Sequence, residues 1–197
     1  MLTRENTITE LKDSTIQEYS GITFMELAFV KKINIRGNPS DNNFMSSNKK
    51  ILDTALPIKP NTYTNNGKIK ILWLGPNEWL VVDENPNENN ELISKLENID
   101  NREESSITDI SENRTVIRIA GKKLSTLLSK FLVLDLDQNL PNKSSVAQTL
   151  FVKVPIILVR NYSNEIGQIP EIDIFTNRSH SNYIYKLLID GTKNLNF

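Results

Sequence analysis

The chain has 197 residues, 38% hydrophobic and 24% charged, the make-up of a soluble globular domain long enough to bury a core without staples. With 23 basic against 24 acidic residues the net charge is −1, which argues against the basic excess of a nucleic-acid binder. There is no cysteine, so disulfides, thiolate nucleophiles and thiolate zinc sites are excluded.

Residues 1–20 are polar and mixed and predict a loosely held tail or an interaction arm. They lack the apolar stretch behind basic residues that a signal peptide needs. The longest apolar runs, such as Val154–Val159, are far too short to span a bilayer. The expectation is a cytoplasmic protein without membrane contact, folded as a single domain over residues 21–197. Ile22–Ile35 is apolar enough for strands, and Arg36-Gly37 stops the run. Asn38–Lys50 reads as a polar loop. Two prolines in Ala55-Leu56-Pro57-Ile58-Lys59-Pro60-Asn61-Thr62 disfavour a central strand there. Ile69, Ile71 and Trp73 then alternate with Lys70, Leu72 and Leu74, Gly75-Pro76-Asn77-Glu78 follows, and Trp79-Leu80-Val81-Val82 returns. Proline at the second turn position and Asn at the third predict a β-hairpin with a tryptophan on each arm.

Asp83–Asn90 is polar. Glu91–Asn98 predicts a short helix burying Leu92 and Leu96, and Asp100–Ser106 a charged loop. Thr115–Ile119 alternates as a strand. Gly121 opens a helix carrying Leu124, Leu127, Leu128 and Phe131 on one face. After the Leu140-Pro141-Asn142 turn, Ala147–Val154 and Ile156–Arg160 read as two β segments separated by Pro155. Asn161–Pro170 reads as a loop and Ile172–Phe175 as a strand. Ser179 is expected to cap a last helix with Tyr183, Ile184, Leu187 and Leu188 inward. Strands mixed with helices, without regular βαβ alternation, define an α+β class: an antiparallel or mixed β-sheet with flanking helices.

Chemistry is sparse. His180, the single histidine, needs a nucleophile and an orienting carboxylate to serve as a general base, and its place beside Arg178 reads more simply as a solvated helix start. A zinc site would have to rely on carboxylates, an uncommon set for that metal. The seven glycines form no phosphate-cradling motif. Gly121-Lys122-Lys123-Leu124-Ser125 could draw an anion to a helix N-terminus, although a plain helix start is the simpler reading. Asp109 with Glu112, and Asp135 with Asp137, are carboxylate pairs open to acid–base work or to capping turns and helices. Trp73 and Trp79 suit a core, an interface or a stacked ligand ring.

As strings, the residues say more. Ala55-Leu56-Pro57 with Pro60-Asn61-Thr62, then Leu72-Trp73-Leu74-Gly75-Pro76-Asn77-Glu78-Trp79-Leu80, resembles the signature of the sarcosine oxidase γ family. Thr108-Asp109-Ile110-Ser111 leading into Arg114–Ile119, Asp135-Leu136, Ala147-Gln148-Thr149-Leu150, and Arg178-Ser179 before a helix with Tyr183 and Tyr185 follow in the family's order. Glu112-Asn113 departs from the family's usual His-Arg. The resemblance implies a fold similar to the folate-binding domain of aminomethyltransferases. It implies a γ subunit that assembles with α, β and δ subunits into an enzyme that oxidatively demethylates sarcosine to glycine. In such enzymes FAD, FMN and NAD sit on α and β, tetrahydrofolate on α, and zinc on δ. The γ chain is then a non-catalytic assembly subunit with no catalytic, cofactor-binding or metal residues of its own. The alternative is a free-standing folate-binding aminomethyltransferase-like protein.

Overall fold

The computed structural model describes residues 5–11, 16–27, 29–84, 91–98 and 105–195. In chain order the elements are β1 (Gln17–Tyr19), β2 (Ile22–Glu26), β3 (Lys31–Arg36), α1 (Asn42–Leu52), β4 (Tyr63–Asn65), β5 (Ile69–Gly75), β6 (Glu78–Asp83), α2 (Leu92–Glu97), β7 (Ser106–Asp109), β8 (Arg114–Ala120), α3 (Leu124–Leu128), α4 (Leu136–Asn139), β9 (Val146–Phe151), β10 (Val154–Arg160), β11 (Glu171–Asn177) and α5 (Arg178–Thr192). They gather in two compact units, one drawn from residues 1–28 and 112–197 and the other from residues 29–111. The expectation of a single domain over 21–197 placed no boundary at these positions.

The 29–111 unit holds a five-stranded sheet in the order β4-β5-β6-β3-β7, antiparallel throughout. Alternation along the strands sends Ile33, Ile35, Ile69, Ile71, Trp79 and Val81 to one face, where they pack with Phe44, Leu52 and Leu56 and with Leu92 and Leu96 of α2. The β5–β6 hairpin turns at Pro76-Asn77, as the sequence predicts.

The other unit is built on a six-stranded antiparallel sheet, β1-β2-β8-β11-β10-β9. Its core joins Ile22, Phe24, Ile117, Ile119, Ile156, Leu158, Ile172 and Ile174 to Leu124, Leu127 and Leu128 of α3 and to Ile184, Tyr185 and Leu188 of α5. Each such fully buried aliphatic side chain contributes about 1.5–3 kcal/mol of transfer free energy.

Some of the segment read as a loose tail is anchored here. Ile8 and Leu11 are fully buried in this core. The carboxylate of Glu26, itself fully buried, accepts hydrogen bonds from the amides of Thr7 (3.1 Å) and Ile8 (2.9 Å) and from Thr115 Oγ1 (2.6 Å). Polar composition hid this, because two apolar residues on a turn suffice once a carboxylate satisfies the backbone beside them. Glu26→Ala strands those two amides at about 1–3 kcal/mol each. The expected result is early hydrogen exchange at Thr7 and Ile8 and rapid proteolysis of the N-terminal segment. Unchanged protection of both amides would show that the carboxylate does not hold it.

Other expectations are corrected. The polar loop over Asn38–Lys50 is largely helix α1: Asp41 caps it by accepting from the amides of Asn43 and Phe44, and Phe44, Asn48 and Leu52 form its buried face. Asn48 hides the apolar spacing; its Nδ2 donates to the carbonyl of Phe44, while its buried Oδ1 accepts no hydrogen bond among the described residues. Pro155 does not separate the β segments around it; it lies within β10, and the turn falls at Val152-Lys153. The β10–β11 ladder starts only at Ile157, so the missing N–H lies beyond that pairing. Ser179 does not cap α5, whose N-cap residue is Asn177, and Tyr183 is exposed while Tyr185 is buried. Residues 100–104 of the charged loop lie outside the described residues.

Candidate functional site

The polar residues singled out from the sequence do not converge. Asp109 Oδ1 accepts from the amide of Ser111 at 2.8 Å, an Asx turn. Glu112 instead pairs with Arg178 at 2.9 Å. Asp135 caps α4 by accepting from the amide of Gln138, and exposed Asp137 sits in that helix's first turn. The acid–base reading of both pairs therefore gives way to turns, caps and an ion pair. His180, in the first turn of α5, is half-buried rather than fully solvated. Its Nδ1 is buried and makes no hydrogen bond among the described residues, so none of these orients it through that nitrogen as a base needs.

Gly121 has a packing reason. Its N–H donates to the carbonyl of Pro170 at 2.9 Å, and a Cβ here would meet the carbonyl oxygen of Gly21 at 2.6 Å. The following helix α3 is only five residues long, and Lys123 Nζ donates to the Leu195 carbonyl. The Gly-Lys-Lys segment is thus a close backbone crossing. Trp79 is 1% exposed, its indole N–H donates to the Pro57 carbonyl at 2.8 Å, and its ring lies 5.9 Å from that of Phe44. Trp73, its cross-strand partner, is half-buried.

Sequence reading missed a stronger electrostatic feature. Arg118 on β8 stands opposite Asp173 on β11 and grips it with two bonds, Nε–Oδ1 at 2.7 Å and Nη2–Oδ2 at 2.9 Å. Glu171 lies 3.5 Å from the same Nε. Alternation marks Arg118 as facing away from Ile117 and Ile119, but the partner 55 residues later emerges only once the strands pair. The pair is a neutralised clamp rather than a reactive group. Tyr185 is equally settled: burial, with Tyr19 beside it, pushes its hydroxyl well above its ordinary value, so it stays protonated and donates to Gln17 Oε1 at 3.0 Å.

In the 29–111 unit a groove of about 510 Å³ is lined by Arg36, Gly37, Asn38, Pro39, Asn77, Ser105 and Ser106. Arg36 is already paired with Glu78 at 2.8 Å, and among the described residues the lining offers no histidine or carboxylate to activate a serine. Among the described residues no group of three or more His, Asp or Glu side chains is placed to hold a metal, and no helix is long and apolar enough to cross a membrane.

The architecture defines the class. It is an α+β fold of antiparallel sheets with few helices, similar to the glycine cleavage system aminomethyltransferase T from Bartonella henselae at a TM-score of 0.60 and 11% identity, covering 89% of this chain and 53% of that one. A chain of the heterotetrameric sarcosine oxidase from Corynebacterium sp. U-96 is more similar, with a TM-score of 0.79 and 21% identity over 98% of this chain and 95% of that one. In sequence, the sarcosine oxidase subunit gamma of Corynebacterium sp. (strain P-1) is 25% identical over 140 residues, 71% of this chain and 67% of the relative. Residues 36–194 match the model of the Sarcosine oxidase, gamma subunit family, and the chain belongs to that family.

Proposed function

We propose that this chain is the γ subunit of a heterotetrameric sarcosine oxidase and supports turnover through assembly, without a complete active site of its own. The family match over residues 36–194 carries this reading. It is supported by the way three of the carboxylate candidates are spent on structural partners: Asp109 on Ser111, Glu112 on Arg178, Asp135 on Gln138. The enzyme oxidatively demethylates sarcosine to glycine, passing two electrons to oxygen, which is reduced to hydrogen peroxide, and the one-carbon unit to tetrahydrofolate. FAD, FMN, NAD, tetrahydrofolate and zinc belong to the α, β and δ partners, in the cytoplasm.

The test is reconstitution with α, β and δ. Leaving this chain out is expected to reduce the yield of intact complex. His180→Ala, Asp109→Asn and Asp135→Asn are expected to leave turnover per bound flavin nearly unchanged. Losing a true general base costs about 10²–10⁴-fold in rate, so a drop of that size with assembly intact on gel filtration overturns the reading. Stoichiometric folate binding by the isolated chain would instead favour the free-standing aminomethyltransferase-like alternative.

A further inference from the structure

The β9–β10 hairpin closes with Phe151 paired to Val154, which leaves a two-residue loop of Val152 and Lys153. The turns favoured for such loops place the first loop residue at positive φ, where Gly, Asn or Asp is usual. Here that residue is Val152, at φ 58°. A β-branched side chain in this region is strained. Packing offsets the strain only in part, because Val152 is 46% exposed and belongs to neither buried core. Its N–H donates to the Phe131 carbonyl at 2.9 Å, a bond any residue would make. The isopropyl group is held at a backbone cost and shown to solvent.

Its surroundings are of the same kind. Leu150, 53% exposed, stands directly opposite exposed Pro155. Val133, fully exposed, lies two residues beyond the carbonyl that Val152 contacts. Among the described residues β9 ends the sheet, pairing with β10 alone. Lys153 at the tip is exposed and makes no ion pair among the described residues. We infer that the β9–β10 tip, with Val133 beside it, is a docking surface for another subunit of the oxidase, which meets it with an apolar depression rimmed by a carboxylate facing Lys153. The inference rests on the γ-subunit reading above. The strain points to function because backbone strain persists where a displayed group is used, and the lone ammonium sets the partner's charge.

The experiment co-expresses the tagged full-length chain with α, β and δ and measures partner recovery, with Tm of the isolated chain alongside. Val152→Asn supplies a residue suited to positive φ. Its expected effect is a Tm rise of about 2–4 °C with about tenfold weaker capture. Lys153→Glu is expected to leave Tm unchanged and weaken capture, with the residual binding recovering as salt screens the repulsion. If wild type captures the partners and both variants capture them equally well, the surface is wrong and the γ-subunit reading stands. A fall in Tm for Val152→Asn makes Val152 a packing residue and overturns the inference. So does a homodimer of the isolated chain that Val152→Asn dissociates. If wild type captures no partner, the γ-subunit reading fails and the inference falls with it.

Discussion

Trp79→Ala is expected to lower the Tm of the isolated chain by about 6–20 °C. Truncating a buried tryptophan costs about 3–5 kcal/mol, and each kcal/mol shifts Tm by about 2–4 °C at this chain length. The loss has more than one source. The substitution opens a cavity beside Phe44 and removes the indole donor to Pro57. That bond holds the Leu56-Pro57 segment, whose two residues are buried while Ile58, Lys59 and Pro60 are exposed. Trp79→Phe keeps most of the volume without the donor and should fall between the two. Half-buried Trp73 is the internal comparison: Trp73→Ala should cost clearly less. Equal losses at the two positions, measured by thermal unfolding, would show that the core is not organised around Trp79.

The second large effect is expected at Asp173, which is 1% exposed. Asp173→Ala leaves the Arg118 guanidinium without its two-bonded partner in a site where its side chain is only 21% exposed. Breaking a buried pair from one side costs about 3–5 kcal/mol. The lower end applies here, because Arg118 keeps some solvent and Glu171 remains at 3.5 Å. Replacing both partners, Arg118→Met with Asp173→Leu, removes the stranded charge and is expected to recover most of the loss. A double-mutant cycle by chemical denaturation measures this coupling. Additive losses would mean that the two residues do not stabilise the sheet as a pair.

Asp173 also marks a limit of reading the chain in one dimension. Ile172–Phe175 is legible as a strand from its apolar run, but the strand's neighbour is not: Asp173 meets Arg118 only because β11 pairs with β8. Glu26 is similar. Its neighbours Phe24 and Met25 mark a strand, yet nothing local says that its carboxylate will be enclosed by Thr7, Ile8 and Thr115. Of the candidate residues, the turn and cap roles of Asp109 and Asp135 were legible, because Asx turns and N-caps are satisfied within a few residues.

By itself the sequence determined the local structure and the family. Gly75-Pro76-Asn77-Glu78 dictates the hairpin turn, period-two alternation dictates β5 and β8, and Leu124, Leu127 and Leu128 dictate the buried face of α3, because these signals act over a few residues. Only the tertiary structure decided the rest. It chose between the tryptophans, burying Trp79 and leaving Trp73 at the margin, although both sit in apolar strands. It made a helix of an Asn-rich segment, because Phe44 and Leu52 had a sheet to pack on and Asn48 could bond to its own helix. It also divided the chain between two sheets by pairing β2 with β8 across the intervening 29–111 unit. Such pairings are settled by burial and by satisfaction of backbone groups between residues far apart in the chain, and no local pattern encodes them.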